Sequence, residues 1–445
     1  MKKDLTKGNI TKTLLLFAAP MILGNLLQQC YNIADTFIVG KFLGSNALAA
    51  VGSAYSLMTF LTSVLIGLCM GSSAVLSTAF GANDKQRMRQ GMTISFIFIT
   101  AVTVLMNIAI VLCINPILKI LHTPPEIYKL MHDYTIIIFS GIYFVFLYNY
   151  FAFLLRAIGN SVVPLYFLAV ATVLNIMLDI IFVPVLKMGV GGAALATVVA
   201  QAVSGLGIGF YTWIKEPWLR LRKTDFTIKK KSAAEVIRHS VGACIQQSVM
   251  NFGILMIQGL VNSFGTTVMA AFSAAVKIDS FAYMPAQEFG NAFSLFISQN
   301  YGSGKYDRVH QGMKKALKTS VIFCLILSAA IFILAPELMQ IFVDGLEIDI
   351  IRTGSTYLRI EGSFYFGIGI LFLLYGFYRG IGKPEMSLIL TIISLGTRVA
   401  LAYILAPISS IGVNGIWWAI PIGWILADTV GILFIKKTKC IKIDE

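Results

Sequence analysis

The sequence predicts an all-α polytopic membrane protein. It would have twelve transmembrane helices in two pseudo-symmetric six-helix bundles around a central cleft. Three observations predict it. The 445 residues are 57% hydrophobic and 13% charged, whereas a soluble domain carries roughly 25% charged residues. Apolar runs long enough to cross a bilayer recur from one end to the other. Three motifs of the first half return in the second at a nearly constant spacing.

The expected spans are Thr13–Gly40, Ala47–Phe80, Met92–Cys113, Tyr128–Leu155, Val162–Leu186 and Val190–Ile214 in the first half. In the second half they are Ala234–Phe264, Thr267–Asn300, Met313–Leu334, Thr353–Phe377, Met386–Ala406 and Gly412–Ile435. Several are longer than the ~20 residues a crossing needs, so they tilt or project beyond the bilayer. A β-barrel would instead show short alternating segments. The first apolar run is too long for a cleavable signal, and no small-residue cleavage site follows it.

Lys and Arg fall in alternate loops. With twelve spans, 27 of the 35 lie on the side of the termini and 6 on the other, while Lys277 and Arg398 fall inside spans. That is the positive-inside pattern, and it places both termini in the cytoplasm. The net charge of +14 is therefore topological and no sign of nucleic-acid binding. The six cysteines are scattered, without CxxC, and read as small apolar residues.

The repeat is visible in GANDKQRMRQGM (81–92) beside GSGKYDRVHQGM (302–313). RAIG (156–159) matches RGIG (379–382), and GVGGAALA (189–196) matches GVNGIWWA (412–419). Six spans is an even number, so the copies have the same orientation and a pseudo-two-fold along the membrane normal. The expected domains are residues 1–214, a basic linker at 215–233, and residues 234–445. The linker also reads simply as a solvated loop near anionic lipid.

Differences between the copies point to a site. Asp35 maps onto Met256, Asn175 onto Arg398, Asp179 onto Ala402 and Thr197 onto Ile420. A carboxylate in a hydrophobic span costs about 2.5–3.5 kcal/mol at a helix centre. Asp35, Asp179 and Thr197 fall at similar depth, and Asn175 is one turn from Asp179 on the same face. These hard oxygen donors suit a small cation, Na⁺ included, or two acids sharing a proton. The plainer alternatives are structural carboxylates bonded to Ser, Thr or Lys, and an amide and hydroxyl that stitch helices. Pro20 in the first span is a hinge or a static kink.

The eighth span carries a second polar cluster, KIDSFAYMPAQEFGNAFS (277–294). Lys277 and Asp279 do not face each other and need partners elsewhere. Tyr283, Met284, Gln287, Glu288 and Asn291 are candidates for a substrate-cavity wall suited to organic cations. Pairing of Glu288 with a Lys or Arg, and plain packing for Tyr283 and Met284, are the competing readings. The four histidines make no ligand spacing, and no P-loop, HExxH or GxSxG occurs, so nothing supports an enzyme or an ATP-driven pump.

The stretches 20–52, 79–91, 154–164, 174–183 and 189–197, together with both copies of the repeat, resemble multidrug and toxic compound extrusion (MATE) transporters. The resemblance implies export of small-molecule organic cations and drugs in exchange for H⁺ or Na⁺, by alternating access and with no other cofactor. It implies an N-lobe coupling site at Asp35, Asn175, Asp179 and Thr197, with bending at Pro20. Other branches use acids on the seventh and tenth helices. Here the seventh has none after Glu235 and the tenth has only Glu361. The setting expected is a bacterial cell membrane, with a monomer sufficient. The alternative is a flippase for lipid-linked oligosaccharide or a related lipid from the wider superfamily, which would need several basic residues for a diphosphate.

Overall fold

The computed structural model describes residues 3–120, 123–220, 225 and 229–436. His122, most of the linker's central basic stretch and the basic C-terminus from 437 onward lie outside the described residues. Fourteen α-helices make up the described chain. In order they are α1 (Ile10–Leu43), α2 (Ser45–Gly81), α3 (Lys85–Ile120), α4 (Pro125–Ser140), α5 (Ile142–Ala157), α6 (Val162–Ile180) and α7 (Gly189–Lys215). They continue with α8 (Lys230–Asn262), α9 (Thr266–Gly302), α10 (Tyr306–Gln340), α11 (Ile348–Gly362), α12 (Tyr365–Gly380), α13 (Pro384–Leu405) and α14 (Asn414–Lys436).

These helices are the twelve expected spans. Among the described residues, nine helices are long and apolar enough to cross a membrane, and eleven if each of two bent pairs counts as one span. The twelfth is α9, whose Lys277, Asp279 and Glu288 dilute an otherwise spanning length. The bent pairs are α4 with α5, at 46°, and α11 with α12, at 51°. The breaks fall at Gly141 and at Ser363–Phe364, and Gly141 and Phe364 are equivalent positions of the repeat. Gly141 is needed there because a Cβ would come within 2.6 Å of the Val198 side chain on α7.

The chain divides into two compact units. Unit 1 comprises Met1–Asp4 and Ala19–Cys244; unit 2 comprises Leu5–Ala18 and Ile245–Glu445. These bounds differ from a simple split at the linker, because the starts of α1 and α8 go with the opposite unit. In unit 1 the core runs along α2, α3 and α5, with Leu65, Ile99, Phe146, Tyr150 and Leu155 buried together. A Cβ at Gly67 or Gly71 of α2 would strike the α8 backbone at Cys244 or His239, so small residues set that close approach. In unit 2, Trp417 is fully buried, stacked on Phe272 at 5.4 Å and edge-on to Tyr357 at 4.9 Å.

The duplicated basic loop explains the exchange of helix starts. Arg87 and Arg308 occupy equivalent positions of the repeat. In unit 1, Arg87 Nη2 binds both carboxylate oxygens of Glu235, at 2.7 and 3.0 Å, near the start of α8. Beside it, Arg89 Nε donates to the buried Asp225 at 3.0 Å and fixes that point of the linker. In unit 2, Arg308 donates to the carbonyls of Leu5, Lys7 and Gly8, the closest at 2.7 Å. Lys305 holds Thr6, Asn300 donates to the Leu5 carbonyl, and Leu5 itself is fully buried.

Charge-assisted hydrogen bonds contribute about 1.5–3 kcal/mol each. Arg308→Ala should therefore free residues 5–8 while leaving α10 formed. Hydrogen exchange at their amides should speed up by about tenfold or more. Unchanged exchange there would mean that Leu5 burial alone holds the segment.

Candidate functional site

Unit 1 gathers all four residues expected to form a cation site. Asp35 lies eight residues before the end of α1, Asp179 six before Val185, and Thr197 eight after the start of α7. At 1.5 Å per residue all three are roughly 9–12 Å from the helix ends that meet the bilayer surface. Past Asp179, α6 widens into a π-helical turn, Ile181–Val185. Pro184 lies in that turn and has no N–H to donate, and Leu186 N bonds back to Ile181 O at 2.8 Å.

The side chains are buried and under-satisfied. Asn175 and Asp179 are 0% exposed, Thr197 7% and Asp35 8%. Asn175 Nδ2 donates to Thr197 Oγ1 at 3.4 Å, and Thr197 also bonds its own helix at Ala193 O, 3.2 Å away. Asp35 Oδ1, Asn175 Oδ1 and both carboxylate oxygens of Asp179 have no hydrogen-bond partner among the described residues. Buried polar oxygens are normally satisfied. Four orphans in one place, two of them on a single carboxylate, leave room for protons or for a small cation with oxygen ligands. Among the described residues no three His, Cys, Asp or Glu side chains gather as a metal site, so any cation here would rely on the amide and hydroxyl as well.

Two tyrosines complete the site. Tyr31 OH lies 3.1 Å from Thr197 Oγ1, and Tyr31 and Tyr134 are both within electrostatic reach of Asp35 and Asp179. Tyr31 was legible by the repeat comparison, because its counterpart is Phe252, which lacks the hydroxyl. Tyr134 was not, since its counterpart is Tyr357. Pro20 lies within α1, which continues as helix through it.

In unit 2 the eighth-span residues separate. Gln287 and Asn291 line a small polar recess with Gln246, Tyr375 and Arg379. Asn291 bridges two charges: its amide donates to Glu288 at 3.3 Å, and its carbonyl oxygen accepts from Arg379 at 2.9 Å. Glu288 is thus linked through Asn291 to a buried arginine. Tyr283 packs on Phe372 with centroids 6.3 Å apart, while Met284 is half-buried and lines no described cavity with them. Lys277 lies over the Phe342 ring at 5.9 Å, and Asp279 accepts from Tyr365 at 2.6 Å. Asp279 is also within electrostatic reach of Glu361 and Arg398, so that acid cluster carries a compensating cation.

Asp428 was missed. It is 6% exposed inside α14, with Oδ1 unpartnered among the described residues. The test that singled out Asp35, a carboxylate within an apolar run, also finds Asp428. It faces Gly367, where the repeat-equivalent pair in unit 1 is Phe144 against Gly205. The small partner has changed sides, which makes space for the acid.

The fold and the buried acids define a multi-pass membrane transporter. The MatE family model matches residues 20–181 and 241–404, two segments that begin at equivalent positions of the repeat. The chain is 30% identical to the "Probable multidrug resistance protein YpnP" of Bacillus subtilis, over 88% of this chain and 87% of that one. It is 28% identical to the "Probable multidrug resistance protein YoeA" of the same species, over 97% and 93%. A crystal structure of MATE in complex with MaL6 superposes with a TM-score of 0.91 at 25% identity, covering 98% of this chain and 99% of that one. The chain belongs to the MATE family, and twelve transmembrane helices are the architecture of that family.

Tyr31→Phe removes one hydrogen bond to Thr197, worth about 0.5–1.5 kcal/mol. If Tyr31 and the four expected residues bind a coupling ion, the ion concentration for half-maximal transport should rise by about three- to tenfold. An unchanged value at normal expression would remove Tyr31 from the site.

Proposed function

We propose that the protein is a secondary active multidrug efflux antiporter. It exports small organic cations and drugs, and inward H⁺ or Na⁺ drives the export through alternating access. The observation that carries this reading is the set of four orphaned oxygens on Asp35, Asn175 and Asp179. Intramembrane acids without a fixed countercharge mark ion or proton pathways. The names of the Bacillus relatives point the same way.

In this reading Asp35 and Asp179 carry the exchanged charge, Asn175 and Thr197 complete the coordination, and Pro20 is the hinge. Na⁺ would use all four side chains, whereas H⁺ needs only a carboxylate. Tyr283, Gln287, Glu288 and Asn291 contribute to the substrate path of unit 2. Two six-span lobes, 1–214 and 234–445, are joined by the 215–233 linker. A monomer lies in the bacterial cell membrane with both termini cytoplasmic, as the basic loops favour.

A lipid-linked sugar flippase is less well supported. Its diphosphate would call for clustered free cations, but Lys277 lies over Phe342 and Arg398 lies near Asp279 and Glu361.

The test is ethidium efflux from loaded vesicles under an imposed pH or Na⁺ gradient. One gradient should drive efflux, and Asp35→Asn should abolish it at normal protein levels. Retained efflux in the variant would sink the coupling role, and failure of both gradients would sink the exporter.

A further inference from the structure

Unit 1 contains a second cavity, of about 170 Å³, where α3 begins and α5 and α7 end. Phe96, Phe151, Gly209 and Leu219 form much of its wall. The polar residues of the wall present no free polar group to it. Tyr150 OH donates to Met92 O at 2.8 Å and pairs with Ser95, and Thr212 Oγ1 donates to Ile208 O at 2.7 Å. An occupant meets ring faces and aliphatic carbon only.

The rim has the opposite character. Trp213, Glu216 and Arg220 stand there, with Lys215 next to Glu216 in the last turn of α7. Glu216 is engaged by Trp218 Nε1. The Arg220 guanidinium lies 5.3 Å from the Trp213 ring centroid, and its Nε donates to Trp213 O at 3.1 Å. Neither of its Nη groups is hydrogen-bonded among the described residues. An apolar slot with an indole and an arginine at its mouth, at the end of a membrane-spanning helix, has the chemistry of a headgroup boundary.

We propose that this cavity binds one acyl chain of an anionic phospholipid, with the lipid phosphate on Arg220. With the Glu216 carboxylate engaged by Trp218, the Arg220 guanidinium at the rim selects against the amphipathic cations that the exporter would carry. The occupant also steadies the turn at Pro217–Leu219, where Leu219 is 4% exposed, and so the first residues of the linker. The inference rests on the membrane-spanning reading of α3, α5 and α7, and is independent of transport.

The test titrates the full-length protein in detergent with phosphatidylglycerol or phosphatidylcholine of identical chains, read by native mass spectrometry. The first phosphatidylglycerol should bind at about fivefold lower concentration than phosphatidylcholine. Arg220→Gln should bring the two lipids level. Gly209→Leu should lose the tight first lipid of either kind, because even a Cβ there lies 3.0 Å from the Phe151 ring. A second readout avoids any folding defect of that variant. Chain-brominated phosphatidylglycerol should quench wild-type tryptophan fluorescence, and Trp213→Phe should remove that component. Equal binding of the two lipids, or preference retained in Arg220→Gln, would overturn the proposal. So would competitive displacement of the lipid by ethidium, which would give the cavity to a transported substrate.

Discussion

A carboxylate in hydrocarbon must be neutralised, paired or solvated, and this constraint shapes both units. Unit 2 answers it with partners for the acids of α9 and α11, while Asp428 of α14 keeps an unpartnered oxygen among the described residues. Asp279 takes a hydrogen bond from Tyr365, Arg398 lies within reach of the Asp279 and Glu361 acids, and Asn291 joins Glu288 to Arg379. Unit 1 answers differently. Asp35 and Asp179 lie beside an amide, a hydroxyl and two phenols, with no described cation among them. In the proposed mechanism their charge is met by an ion or proton that comes and goes.

The duplication gives this contrast its physical meaning. The two halves share helix order, the broken fourth and tenth spans, and a basic-loop arginine that pins the start of a helix. The chemistry has diverged on that common frame. Where unit 1 carries Asn175, unit 2 carries Arg398; where unit 1 has Asp179, unit 2 has Ala402. The shared frame sets helix positions and local burial, so a few substitutions are enough to exchange a set of unpartnered acids for a charge network.

Most of the architecture was legible from apolar runs, because hydrocarbon thickness sets span length. The break at Gly141 was not, since the apolar run continues through it and the close contact with Val198 is tertiary; the one at Ser363–Phe364 follows the polar stretch Arg359–Ser363, inside what reads as one span. The four residues proposed for coupling were legible because a buried charge in an apolar run stands out and the repeat supplies an internal control. Tyr31 stayed hidden behind the frequency of aromatics in membrane helices, although Phe252 opposite it carried the signal. Asp428 was in plain view but lay outside the motifs that framed the repeat comparison. The partners of Lys277 and Asp279, and the arginine that Asn291 links to Glu288, could not be read at all, because each lies elsewhere in the chain at a separation only the fold defines.

The central claim is that Asp35 and Asp179 hold a cation that substrate binding displaces. It is tested most directly by adding ethidium to purified protein in weakly buffered, Na⁺-free detergent solution and then in solution loaded with radioactive Na⁺, following released protons or released label. The account predicts release of one or the other on substrate binding, lost when both acids are changed to Asn while ethidium still binds. Release of the same amount from the doubly substituted protein would contradict it.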